Sequence, residues 1–92
     1  MSTATIVFDH HDYWVGDSKI FVLDPPYQGY RHVAVTVRAV EFGQWQNAGV
    51  EVVGCDENGF ITGDHVIALY QSYVVMSHVA VLQELGYTEV ST

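Results

Sequence analysis

The sequence predicts an α+β domain in which an antiparallel sheet of three to five strands is covered by one C-terminal helix. Three observations lead there. Short β-branched and aromatic runs fill the first two thirds of the chain, separated by clusters of Gly, Pro, Asp and Asn. Residues 64–87, DHVIALYQSYVVMSHVAVLQELGY, form the one stretch long and regular enough for a substantial helix. Strands come first and the helix last, an order that favours an antiparallel sheet with the helix on one face.

Residues 3–8, TATIVF, read as a first strand that stops at the polar Asp9-His10-His11-Asp12. Tyr13-Trp14-Val15 extends or restarts it before the turn cluster Gly16-Asp17-Ser18. Residues 19–23, KIFVL, are almost continuously apolar, as expected of a strand buried on both faces. Pro25 and Pro26 should end it, since each removes a ladder donor and fixes φ. Residues 30–40 alternate best: Val33, Val35, Val37 and Ala39 point one way, and Ala34, Thr36, Arg38 and Val40 the other. After a connection over 41–49, residues 50–55 form the next strand, and Asp56-Glu57-Asn58-Gly59 is a turn. Residues 60–62 offer a brief return strand, and Asp64 is placed to cap a helix.

Within 64–87 the apolar stripe is expected at Val75, Val79, Leu82 and Leu85, with Ser77, Gln83 and Glu84 off it. Gly86 stands where a left-handed C′ residue belongs, and Tyr87 beyond it can fold back onto the last turn. The helix either runs unbroken or splits near Ser72, which would cap a main helix over 73–85. His78 is expected on the flank of this helix, partly exposed or hydrogen-bonded, with a pH-responsive contact as the sharper alternative.

A chain of 92 residues is one domain, residues 1–92, with one core. At 49% hydrophobic it has enough apolar residues for packing, so a disordered tail is excluded. Eleven carboxylates face Lys19, Arg31 and Arg38 alone, for a net charge of −8. Such a surface repels phosphate backbones and anionic membranes, which argues against direct nucleic-acid binding. It suits solubility, a basic protein partner, or mimicry of nucleic acid. Cys55 is alone, so it forms no internal disulfide and no Cys-based zinc site, and is expected as a buried thiol in a reducing compartment. No basic segment followed by an apolar run opens the chain, so no secretory signal is expected. Residues 66–82 lack Asp, Glu, Lys and Arg, but Gln71, Ser72, Ser77 and His78 interrupt them. A buried helix fits that run better than a membrane span.

The chemistry-bearing candidates are few. A strand running into Asp9-His10-His11 is similar to one motif of the DHH phosphoesterases, which hold two metal ions with further Asp and His motifs absent here. Adjacent His10 and His11 point opposite ways on an extended backbone, so solvated loop residues are the ordinary reading and a metal site or metal-dependent hydrolase the sharper one. No Gly-rich phosphate loop and no paired nucleophile is present, so no catalytic residue, metal or cofactor is assigned and the chain reads as a non-enzyme. Tyr13, Trp14, Tyr27, Tyr30 and Trp45 all fall in or beside expected loops, interleaved with Asp12, Asp17, Asp24 and Glu41. Rings of this kind either cover the rim of a small core or anchor a protein interface.

Leu23-Asp24-Pro25-Pro26-Tyr27-Gln28-Gly29-Tyr30-Arg31-His32-Val33, then Asp56-Glu57-Asn58-Gly59, then His78-Val79-Ala80-Val81-Leu82 leading to Gly86-Tyr87, carry a resemblance. This pattern resembles small acidic accessory proteins of actinobacterial phages. The resemblance implies a protein of the host-cell cytoplasm that binds and occludes a host macromolecule, and it carries over no catalytic residue. A self-assembling particle component is the alternative, joined through the helix or a sheet edge. A homodimer is compatible with either, since one helix would leave a sheet face bare around Val40, Val53 and Cys55.

Overall fold

The computed structural model describes residues 2–10, 17–38, 49–60 and 68–90. Along the chain these form β1 (Thr3–Phe8), β2 (Asp17–Tyr27), β3 (Tyr30–Arg38), β4 (Gly49–Cys55), β5 (Ala68–Ser72), α1 (His78–Glu84) and β6 (Thr88–Val90). One sheet holds six strands in the order β5-β4-β3-β2-β1-β6. Its pairings are antiparallel except β1 with β6, which is parallel. The α+β class therefore stands, while the expectation of three to five antiparallel strands is corrected to a six-stranded mixed sheet.

The two additional strands explain the parallel pair. β5 and β6 lie at opposite ends of the sheet and are joined through α1. Crossing five strand spacings requires about 24 Å. A seven-residue helix spans only about 10 Å. Residues 73–77 supply the rest of the reach, and the chain arrives at β1 running in β1's own direction.

The main correction concerns the helix. Residues 68–72 are a strand, and the helix starts at His78, later than either expected start. Ser72 still uses its capping chemistry: its hydroxyl accepts from the Val74 amide at 3.1 Å and turns the chain out of β5. Ser77 is the actual N-cap, extended at φ −69° and ψ 161°, its hydroxyl accepting from the Ala80 amide. The far end agrees with expectation. Gly86 has φ 92°, its amide bonds the Gln83 carbonyl, and the Tyr87 amide reaches the Leu82 carbonyl at 2.9 Å. That pair of bonds is the Schellman closure. The buried helix face is His78, Val81 and Leu82 with Leu85 at its margin; Val75 and Val79, expected on the stripe, are exposed.

β2 also departs from expectation, because Pro25 and Pro26 do not end it. Five steps along β2 from Val22 to Tyr27 are matched by two along β3, from His32 to Tyr30. The prolines fall in that bulge, where no ladder donor is required of them. The strand then closes on a two-residue turn, Gln28 at φ 49° and Gly29 at φ 87°, as a type I′ hairpin demands.

β2, β3 and β4 feed both faces of the sheet. Phe21, Leu23, Val33, Val35 and Val52 join Val81 and Leu82 under the helix, while Ile20, Ala34 and Cys55 form a second cluster on the other side with Phe8 beside it. Continuous burial of Ile20 and Phe21 agrees with the double cover expected of KIFVL. Two buried hydroxyls on that second face, Ser18 and Thr36, sit opposite each other and share a hydrogen bond of 2.9 Å. The face expected to be bare is not: Val53 is 2% and Cys55 5% exposed, and Val40 lies outside the described residues. Asp64 and residues 61–62 also lie outside them, as does any return strand there. Among the described residues, no helix is long and apolar enough to cross a membrane.

Replacing Leu82 by Ala should cost about 2–5 kcal/mol in urea unfolding, whereas Val79→Ala should stay within about 0.5 kcal/mol. Equal losses would return Val79 to the packed stripe.

Candidate functional site

The turn at Gln28-Gly29 sets Tyr27 directly across from Tyr30. Both rings are half-buried at the margin of the helix-side core. Tyr30 is held by an absence: its ring fills the space that a side chain at Gly54 would occupy, so any Cβ there would overlap it. A glycine inside a strand is the kind of local signal that marks a close approach, but it does not name the side chain that approaches.

Tyr27 is held from the other side. Tyr87, buried just past the end of α1, meets the Tyr27 ring edge-on, with centroids 6.3 Å apart and planes at 77°. Its hydroxyl donates to the Pro25 carbonyl at 2.5 Å. Burial, then Tyr27 and Asp24, push the Tyr87 phenol above its ordinary pKa, so it remains a donor at neutral pH. The bulge of β2 and the end of α1 are thereby joined. Asp24, Pro25 and Pro26 stand exposed on this support, with Tyr27 and Tyr30 alongside.

Of the expected acidic-aromatic residues, Tyr27 and Tyr30 are paired here, and Asp24 lies three residues before Tyr27 on the same strand. Asp17 lies elsewhere: it begins β2 at the opposite end, and its carbonyl accepts a hydrogen bond from His78 Nε2 at 2.8 Å. Of the two forms expected for His78, the structure has the hydrogen-bonded one, and the ring is buried, not partly exposed. Asp12, Tyr13, Trp14, Glu41 and Trp45 lie outside the described residues. Tyr87 is the residue that sequence reasoning passed over as part of a site; Gly86 marked its fold but gave no hint of its partner 62 positions earlier.

Asp9 of the Asp-His-His-Asp run is engaged by Lys19, whose ammonium bonds both its carboxylate and its carbonyl. Hydrogen bonding and then the charge of Lys19 hold the Asp9 carboxyl below its ordinary range. His10 is exposed, and His11 and Asp12 lie outside the described residues. Among the described residues, no three His, Cys, Asp or Glu side chains are grouped to hold a metal ion.

A second surface is apolar. Tyr73 and Val74 follow β5 largely exposed, with Val75 and, on the first turn of α1, Val79 exposed to a lesser extent. Cys55 belongs to neither surface; burial, then Asp56, push its thiol up to about 12.

That thiol should resist alkylation at pH 8 in the folded protein, holding roughly a thousandfold less thiolate than an ordinary cysteine, and react on unfolding. The unfolded chain releases the proton first, so stability should fall as pH climbs from 9.0 toward about 12. Rapid labelling of native protein would contradict the buried placement. A Gly54→Ala variant should lose about 1–3 kcal/mol, because the Tyr30 ring must move; a Tyr30→Ala background should relieve most of that loss, read by thermal unfolding.

Compared with known proteins, the chain matches no family model, no curated protein and no solved structure.

Proposed function

We propose that this chain is a phage-type accessory protein that works by binding, occluding a basic host protein in the host-cell cytoplasm. The observation that carries the reading is the pair of supported rings, Tyr27 and Tyr30, at the hairpin end of β2 and β3, with Asp24 exposed three residues before Tyr27. Rings already fixed by Tyr87 and Gly54 lose little freedom on binding, which lowers the entropic cost of an interface. Asp24 is exposed before Tyr27 and Arg31 after Tyr30, on a chain whose net charge is −8.

In this reading the negative field speeds encounter with a cationic surface, and burial of the two rings sets how long the complex lasts. Nucleic acid and membrane are not the targets, since both carry the same sign of charge. The protein acts without turnover and without a cofactor, by covering a surface its partner needs.

Affinity capture from host lysate identifies the partner, and surface binding kinetics on the purified pair then test the reading. Asp24→Lys should slow association and flatten its salt dependence, and Tyr27→Ala should speed dissociation by about tenfold or more. A Trp14→Ala/Trp45→Ala variant tests the remaining expected aromatics in the same assay. Unchanged kinetics in folded Asp24→Lys and Tyr27→Ala proteins would reject this surface.

A further inference from the structure

Neither the hairpin surface nor the core accounts for the edge at β5. β5 ends the sheet, and no strand among the described residues pairs with its outer side. An open edge presents main-chain donors and acceptors that another strand can satisfy. Proteins that stay apart blunt such edges with Lys, Pro or charge. Ala68-Leu69-Tyr70-Gln71-Ser72 contains none of these, and what irregularity it has is one bulge at Leu69, where Val52 and Val53 face Tyr70 and Ala68. At the other end of the sheet, β6 is only three residues long and carries Glu89.

The chain leaves β5 through an apolar stretch that faces water. Tyr73 is 84% exposed and Val74 64% exposed, and both follow directly on Ser72. No Asp, Glu, Lys or Arg occurs anywhere from residue 66 to residue 82, although the chain as a whole carries −8. A basic partner finds no counter-charge on this tract. Its complement is an uncharged apolar surface next to an open strand edge.

A second copy of the chain supplies both. It also meets its twin here over a tract without carboxylates, and Glu51, paired across from Gln71 on β4, is faced by Arg38. We propose that β5 pairs antiparallel with β5 of a second copy across a two-fold axis, with Tyr73 and Val74 of each packing at that seam. Such an interface is self-complementary and closes at two subunits, because β6 offers no comparable edge for further growth. This goes beyond the hairpin reading and uses a different strand.

Light scattering and sedimentation of the full chain over a wide concentration range test it. A dimer is expected, and added salt should tighten it by screening the repulsion between two acidic copies. Tyr73→Glu and Val74→Lys each bring like charges together at the seam and should weaken the dimer by at least about tenfold. Both positions are exposed, so circular dichroism and melting should stay unchanged, as should partner capture by the hairpin. Hydrogen exchange on the wild-type chain is the measurement that needs no variant: amides of residues 68–72 should gain protection as concentration rises. A monomer at every concentration would overturn the proposal. So would a dimer indifferent to both substitutions, or one that leaves exchange at 68–72 unchanged.

Discussion

Alternation along β3 between two buried faces is the constraint that every other element answers to. Val33 and Val35 face the helix, and Ala34 and Thr36 face the second cluster, all of them buried. A slip of one residue would drive His32 or Arg38 toward the helix-side core and carry Val33 away from it. The register of β2 and β4 follows from that choice, with Phe21 set against Val33 and Val52 against Val35. Even the polar pair obeys it: Ser18 can be buried only because the same register delivers Thr36 opposite.

Fixing both flanks of β3 leaves the helix a single task, which is to cover one face while carrying the chain across the sheet. Its short length suffices because His78, Val81 and Leu82 are packed down together, and the Schellman closure turns the chain sharply into β6. Tyr87 lies at that turn and reaches back to Pro25 and Tyr27. The stability of α1 and the shape of the hairpin surface are thus linked through one side chain. Loosening the last turn of the helix would free the Tyr27 ring, while Tyr30 stays seated over Gly54.

The legible parts of the sequence are those where local chemistry and tertiary context agree. TATIVF is the strand β1 at its expected bounds, β4 begins one residue before Val50, and Gly86 ends the helix where expected. The turn at residues 56–59 forms as read, Asp56 accepting through its carboxylate from the Asn58 and Phe60 amides. Misreadings occur where two structures share one pattern. An uncharged run such as ALYQS suits a buried helix or an edge strand equally well, and only its pairing with β4 decides. Ser72 and Ser77 both cap a turn of backbone, but only Ser77 has a helix after it. Once the start moved by five residues, the expected stripe rotated, and Val79 went to solvent while His78 went inside. Pro25 and Pro26 concealed the hairpin, since the bulge that accommodates them is a property of the paired strands. In the site, Asp24, Tyr27 and Tyr30 were legible as types of residue; the contacts of Tyr87 with Tyr27 and of Gly54 with Tyr30 are long-range, and no local pattern names the partners.

Charge divides the exterior in a way that composition alone conceals. A net −8 spread evenly would oppose every contact between two copies and favour every contact with a cation. Carboxylates are instead absent from residues 66–82, where the chain exposes Tyr73 and Val74, while the hairpin end carries Asp24 and Arg31, both exposed. For the two proposed contacts salt is expected to act in opposite directions, screening attraction at the hairpin and repulsion at the β5 edge. Like and unlike partners are thereby assigned in the two proposals to separate regions, each chosen by where its electrostatic cost is expected to be smallest.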